Sequence, residues 1–179
     1  MKQWQDTSDE VVKELPFHIA EWLLEFGSLT EKLERSINAK VRLEVLKENH
    51  CVASVEDAQM LGVAENTQLW SREVLLYGPE EPWIYAKTLV PASSAFLIES
   101  LGEKPLGSIL FSEKQLSRQF LKVKQLASDH ALFLSAQPYI KEETEKLWAR
   151  RSLWQNSEQS DMELLVSEVF LPDAPLYNK

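Results

Sequence analysis

Cysteine is nearly absent: Cys51 is the only one in 179 residues. No intrachain disulfide can form, and the lone thiol reads as a small, partly buried side chain before it reads as a nucleophile. Glycine is also scarce, at five residues, which excludes collagen-like and low-complexity chains. His18, His50 and His130 are scattered and accompany neither an HExxH pair nor a second cysteine, so no metal motif is present. A glycine-rich phosphate loop and a GxSxG elbow are both missing, which removes most support for nucleotide and serine-hydrolase chemistry. No apolar run reaches the length of a membrane span. The start, MKQWQDTSDEVV, carries acidic residues where a secretory signal would be apolar, so a soluble cytoplasmic protein without membrane insertion is expected. Basic residues are outnumbered 19 to 28 and form no long block, which argues against a nucleic-acid partner. A local cationic pocket for a small anion remains open, because net charge governs solubility and steering more than the chemistry of one cleft.

What is present is a globular composition, 44% hydrophobic and 26% charged. At 20.6 kDa the chain is long enough for one well-buried core, and with no linker or repeat it reads as a single domain over residues 1–179. Phe17, Ala20, Leu23 and Leu24 follow Pro16 at helical spacing, and Gly27 is expected to end that helix. Ser28 with Glu31 makes a capping-box start for a second helix carrying Leu29, Leu33 and Ile37. Val41, Leu43 and Val45 alternate as a strand, and Ser54 opens a short helix through Leu61. Gln68–Tyr77 and Trp83–Val90 form a hairpin with a loop of about five residues. Short helices are expected over Ser94–Leu101 and after Pro105, and a strand over Leu116–Leu126. A helical end is expected at Glu142–Leu147, and a last hairpin pairs Leu147–Gln155 with Met162–Leu171 across a polar turn at Asn156–Asp161. This order lacks βαβ alternation and gives an α+β fold with an antiparallel sheet.

Two charges fall where the inward strand face should be apolar. Arg72, in LWSREVLLY, shares its alternation with Trp70, Val74 and Leu76; Glu168, in LLVSEVFLP, shares its own with Leu164, Val166 and Phe170. Burying either ion alone is expensive, so each needs a partner. Arg72 and Glu168 can pair with one another, or Arg72 can pair with Glu73 at a sheet edge. Alternatively an anionic ligand completes the Arg72 fork while Glu168 addresses a hydroxyl. Periodicity does not choose between these.

The blocks WSREVLLY, EPWIYAKTLVP, LGEKPLGSILF, WARRS and SEVFLPDAPLY, running from about Trp70 to Tyr177 with a weaker echo in WLLEFGSLTEKLE, resemble the bacterial chorismate pyruvate-lyase family. The resemblance implies cleavage of chorismate to 4-hydroxybenzoate and pyruvate for the ubiquinone ring, without metal or organic cofactor. It implies an antiparallel sheet with helical flaps over an enclosed ligand site. It places the product carboxylate at Arg72, the phenolic end at Glu168, and lid contacts at Leu29 in GSLT and Leu106 in KPLG. Arg72 and Glu168 are the implied catalytic residues, and hand-over of product to a membrane-bound prenyltransferase is an implied partnership.

The sequence departs from the family pattern twice. The family commonly has a second arginine where this chain reads YAKTLVP, so Lys87 is expected to stand in for it with a point charge in place of a fork. The stretch from about Ala127 to Lys146 is also longer than expected before WARRS. A rival reading is a non-catalytic, ligand-sensing UTRA domain, since LGVAENTQLWSREVLLY and EPWIYAKTLVP resemble that family too. WARRS, FLPDAPLY and the lack of a basic helix-turn-helix stretch before residue 40 speak against it. A lyase-like protein that only binds an aromatic acid is the third reading.

Overall fold

In this computed structural model, residues 3–99, 101–110, 116–157 and 163–178 are described. The strands are β1 (Gln5–Asp6), β2 (Arg42–Val52), β3 (Gln68–Tyr77), β4 (Pro82–Pro91), β5 (Leu116–Ala127), β6 (Lys146–Asn156) and β7 (Glu163–Phe170). They form one antiparallel sheet in the order β1-β5-β6-β7-β4-β3-β2, which confirms the α+β expectation. The helices are α1 (Glu10–Lys13), α2 (Phe17–Leu23), α3 (Leu29–Ile37), α4 (Val55–Leu61), α5 (Phe96–Glu99), α6 (Gly107–Leu110) and α7 (Ala131–Ala136).

Strand alternation sorts these elements onto two faces. On the front face, Leu76, Ile84, Trp148 and Phe170 pack against Trp22, Leu23, Leu29 and Leu33 of α2 and α3. Farther along the same face, Val90, Trp154, Leu164 and Val166 pack against Ala95, Ile98, Leu101 and Leu110 around α5 and α6. The back face is covered by α4, whose Ala58 and Leu61 meet Leu69, Leu89 and Leu165, and by α7, whose Leu132, Phe133 and Ala136 meet Leu75, Tyr85, Leu147 and Val169. The centre of the sheet is thus covered on both sides, and β3, β4, β6 and β7 are buried along most of their length.

Local chemistry fixes several boundaries. The Ser28 hydroxyl accepts the Glu31 backbone N–H at 3.2 Å and starts α3, as the capping pattern predicts, and Asn38 closes it in the left-handed region with φ 50°. At the β3–β4 turn, a Cβ on Gly78 would lie 2.0 Å from the Trp83 ring, so only glycine fits. Helix α2 stops at Leu23, ahead of the expected end at Gly27; Glu25 turns back and takes the Gly27 N–H on its side chain at 2.7 Å. The helix expected at Glu142–Leu147 is not formed. Residues 142–145 are loop and Lys146 and Leu147 already belong to β6. The helix of this region is α7, started by the His130 ring, which accepts the Leu132 N–H at 3.2 Å, and held by its apolar face. Most of the expected polar turn at Asn156–Asp161, with Met162 after it, lies outside the described residues. Among the described residues no helix is long and apolar enough to cross a membrane.

Candidate active site

The front face is not filled along its whole length. Between α3 on one side and the Pro105–Leu110 segment on the other lies a cavity with about 630 Å³ of space between its walls, its mouth included. The floor is made by front-face residues of five strands: Leu43, Arg72, Val74, Leu76, Ala86, Thr88, Val166, Glu168, Arg150, Ser152 and Trp154 all line it. Gly27–Thr30 and Pro105–Gly107 form the covers, so Leu29 and Leu106 lie where lid contacts were expected.

Arg72 and Glu168 share this cavity and do not pair with one another. Arg72 is only 2% exposed. Its Nη1 donates to Glu48 Oε1 at 2.5 Å, and its Nη2 donates to the backbone carbonyls of Gly102 at 2.7 Å and Lys104 at 3.3 Å. Its partner is therefore neither Glu168 nor Glu73. Glu168 lies directly across the β6–β7 ladder from Arg150, whose Nε donates to Glu168 Oε2 at 2.5 Å. Arg150 Nη1 also donates to the Glu25 carbonyl at 2.8 Å, which ties the floor to the first cover. Each buried ion thus has its own counter-ion, which meets the cost of desolvation without closing the space between them. A guanidinium has five N–H donors, and the three named acceptors on Arg72 leave it donors for a ligand.

Lys87 does not reach this site. It pairs in register with Glu73 and Ser167, whereas its neighbours Ala86 and Thr88 line the cavity. Period two sends alternate residues to opposite faces, so a residue between two cavity residues must face the back. The additional cations are Arg150, from WARRS, and Arg118, from LSRQF. Neither was legible as a site residue. Arg150 lies in an RR pair whose phase along β6 is ambiguous, and Arg118 changes face at a bulge: Phe120 pairs with Leu153, but Arg118 pairs with Trp154. A second bulge, between Val45 and Lys47, likewise brings Glu48 into register with Arg72. Strict alternation would have sent both charges to the wrong face.

Among the described residues no group of three or more His, Cys, Asp and Glu could hold a metal ion. What this arrangement can do is bind a flat anion: Arg72 at one end, Glu168 with Arg150 at the other, and apolar side chains such as Val74, Ala86 and Val166 between them.

Comparison with known proteins agrees. Residues 2–179 match the chorismate lyase family. Similar relatives include the chorismate pyruvate-lyase of Hamiltonella defensa, 32% identical over 92% of this chain and 83% of that protein. That of Sodalis glossinidius is 34% identical over 87% of this chain and 78% of its own length. Among solved structures, PhnF from Mycobacterium smegmatis superposes with a TM-score of 0.63 at 13% identity, covering 84% of this chain and 66% of that one. Its effector domain gives 0.60 at 14% identity, over 82% and 90%. Those two likenesses establish a shared fold, whereas the sequence match over nearly the whole length establishes kinship: this chain belongs to the chorismate lyase family.

Proposed function

We propose that the whole chain acts as one domain and is a chorismate pyruvate-lyase, releasing 4-hydroxybenzoate and pyruvate for the ubiquinone ring. In this reading it is a cytoplasmic enzyme that hands its product to a membrane-bound prenyltransferase. The observation that carries the proposal is the pair Arg72 and Glu168: a buried cation and a partly buried carboxylate at separate positions of one apolar-walled, lidded cavity, each held by a different partner.

Arg72 clamps the ring carboxylate, and Glu168 faces the ring hydroxyl or takes the proton from the carbon that bears it. The ether C–O bond to the enolpyruvyl group breaks, the ring loses that proton and becomes aromatic, and the departing enolpyruvate gains a proton to become pyruvate. Aromatisation makes the elimination downhill, so the protein's task is to hold the enolpyruvyl arm in its reactive conformer and exclude water. Positioning of this kind is worth ~7–11 kcal/mol in favourable cases. Leu29 and Leu106, on the two covers, press the ring against the floor.

Incubating the purified chain with chorismate tests this directly. The expected outcome is equimolar 4-hydroxybenzoate and pyruvate. Tight binding of 4-hydroxybenzoate with no conversion would favour a lyase-like protein that only binds an aromatic acid, and neither binding nor conversion would favour a domain that senses another metabolite.

A further inference from the structure

Chorismate differs from its aromatic product by a second carboxylate, on the enolpyruvyl arm, and Arg72 and Glu168 together account only for what the product retains. We propose that Arg118 is the residue that binds this second carboxylate and so distinguishes substrate from product; the proposal rests on the lyase reading above.

Among the described residues, three guanidiniums, Arg72, Arg118 and Arg150, and one carboxylate, Glu168, line the cavity. The chain as a whole has a net charge of −9, so this lining is opposite in sign to the molecule that holds it. With Glu48 on Arg72 counted, three guanidiniums stand against two carboxylates among the described residues, a net positive lining that attracts anions; the positions of the cations are what separate one carboxylate from the other.

Position comes next. The enolpyruvyl ether sits on the ring carbon beside the hydroxyl, so its carboxylate lies at the hydroxyl end of the molecule, away from the ring carboxylate. With strands spaced about 4.8 Å apart, Arg72 on β3 and Glu168 on β7 are about 10 Å apart across the sheet, since β4 runs between them. Arg118 belongs to the Glu168 end. Its Nη1 donates to the Phe26 carbonyl at 2.5 Å, and Arg150, the partner of Glu168, donates to the adjacent Glu25 carbonyl at 2.8 Å. Successive carbonyls of one segment thus hold the two guanidinium heads as neighbours. Burial and the Arg150 charge both lower the Arg118 pKa, while Glu168 and Glu25 oppose that shift. An added carboxylate there relieves the repulsion between the two cations. Lys87 cannot serve, because it faces the back of the sheet.

Orientation is the third point. Arg118 reaches the front face only through the β5 bulge, a device that re-aims a side chain at the cost of a ladder position. Its guanidinium lies over the Trp154 ring, 4.5 Å from the centroid, and that ring is itself part of the cavity wall.

The test compares two ligands in one variant. Arg118→Gln is expected to lower kcat/KM for chorismate ~10- to 100-fold, as loss of a charged hydrogen-bond partner does, while 4-hydroxybenzoate affinity changes less than ~3-fold. Arg118→Lys keeps the charge without the fork and is expected to recover part of the loss. The same ratio, read by calorimetric titration of both ligands, tests Arg118 independently of turnover. If the unsubstituted chain does not convert chorismate, the lyase reading fails. Arg118 is then still supported if chorismate binding alone weakens in the variant. Equal weakening of both ligands, or of neither, overturns the proposal. Thermal melting of both variants identifies a folding defect, and if Arg118→Gln does not fold, the Arg118→Lys ratio decides by the same criterion.

Discussion

Arg150 and Arg151 are consecutive residues of one strand, both nearly excluded from solvent, and they serve opposite halves of the molecule. Arg150 faces the cavity and fixes Glu168. Arg151 faces the back, where its Nε donates to the Ser167 hydroxyl at 2.9 Å, its Nη1 to Glu56 at 2.8 Å and its Nη2 to Asp57 at 2.9 Å. Lys124 and His130 approach Glu56 at 3.5 Å, and Trp4 donates its indole N–H to the same carboxylate at 3.0 Å. The back cluster therefore joins the N-terminal segment, α4, β5, β6 and β7, with several carboxylate oxygens engaged by donors. The front cluster distributes similar charges around empty space. The lesson is that buried ions of the same type become structural when they saturate one another and available for chemistry when geometry keeps them apart.

Four experiments press on this contrast. The largest effect is expected for Glu168→Gln, which should lower kcat ~10²-fold or more if the carboxylate takes the ring proton, measured on the folded fraction because Arg150 also loses its counter-ion. A rate close to that of the unsubstituted chain would reduce Glu168 to an orienting group. Arg72→Ala should lower kcat/KM for chorismate and affinity for 4-hydroxybenzoate together, roughly 10- to 100-fold each. Unchanged constants would remove the clamp from the mechanism. On the back face the signature reverses: Arg151→Gln is expected to cost about 3 kcal/mol in denaturant unfolding while kcat of the folded fraction holds. That figure sits at the low end for buried pairs, because Glu56 is 38% exposed. A drop in kcat without a drop in stability would erase the division between the faces.

The smallest effect concerns pH. Burial by itself would raise the Glu56 carboxyl, but the hydrogen bond from His130 and the charges of Arg151 and Lys124 outweigh it and bring its pKa from 4.5 down to about 2. A carboxyl held lower in the folded chain than in the unfolded one stabilises the fold above its unfolded value, and that contribution drains away as pH falls from 4.5 towards 2. The Tm difference between the unsubstituted chain and Glu56→Gln should shrink across that window. A difference independent of pH would show that Glu56 contributes by packing alone.

Much of the frame was legible because it rests on local rules. The Ser28 cap, the β3–β4 hairpin, the inward phase of Arg72 and Glu168 and the covers at Leu29 and Leu106 all follow from spacing, turn chemistry or the family blocks. Where sequence and structure part, each difference has its own physical reason. Lys87 was assigned to the ligand through a block resemblance although its phase between Ala86 and Thr88 already pointed it backwards. Glu48 and Arg118 were missed because each sits beyond a bulge, where counting by twos fails. The helix at Glu142–Leu147 was expected from composition, but no apolar face existed there to dock, and α7 formed where one did.

By itself the amino-acid order determined the kind of fold, the family and the two ions at its centre, since these depend on alternation, capping and motif. Which ions meet was settled only in three dimensions. An ion pair forms between side chains far apart in the chain, through a register that one extra residue in a strand can change, and no local pattern records that extra residue.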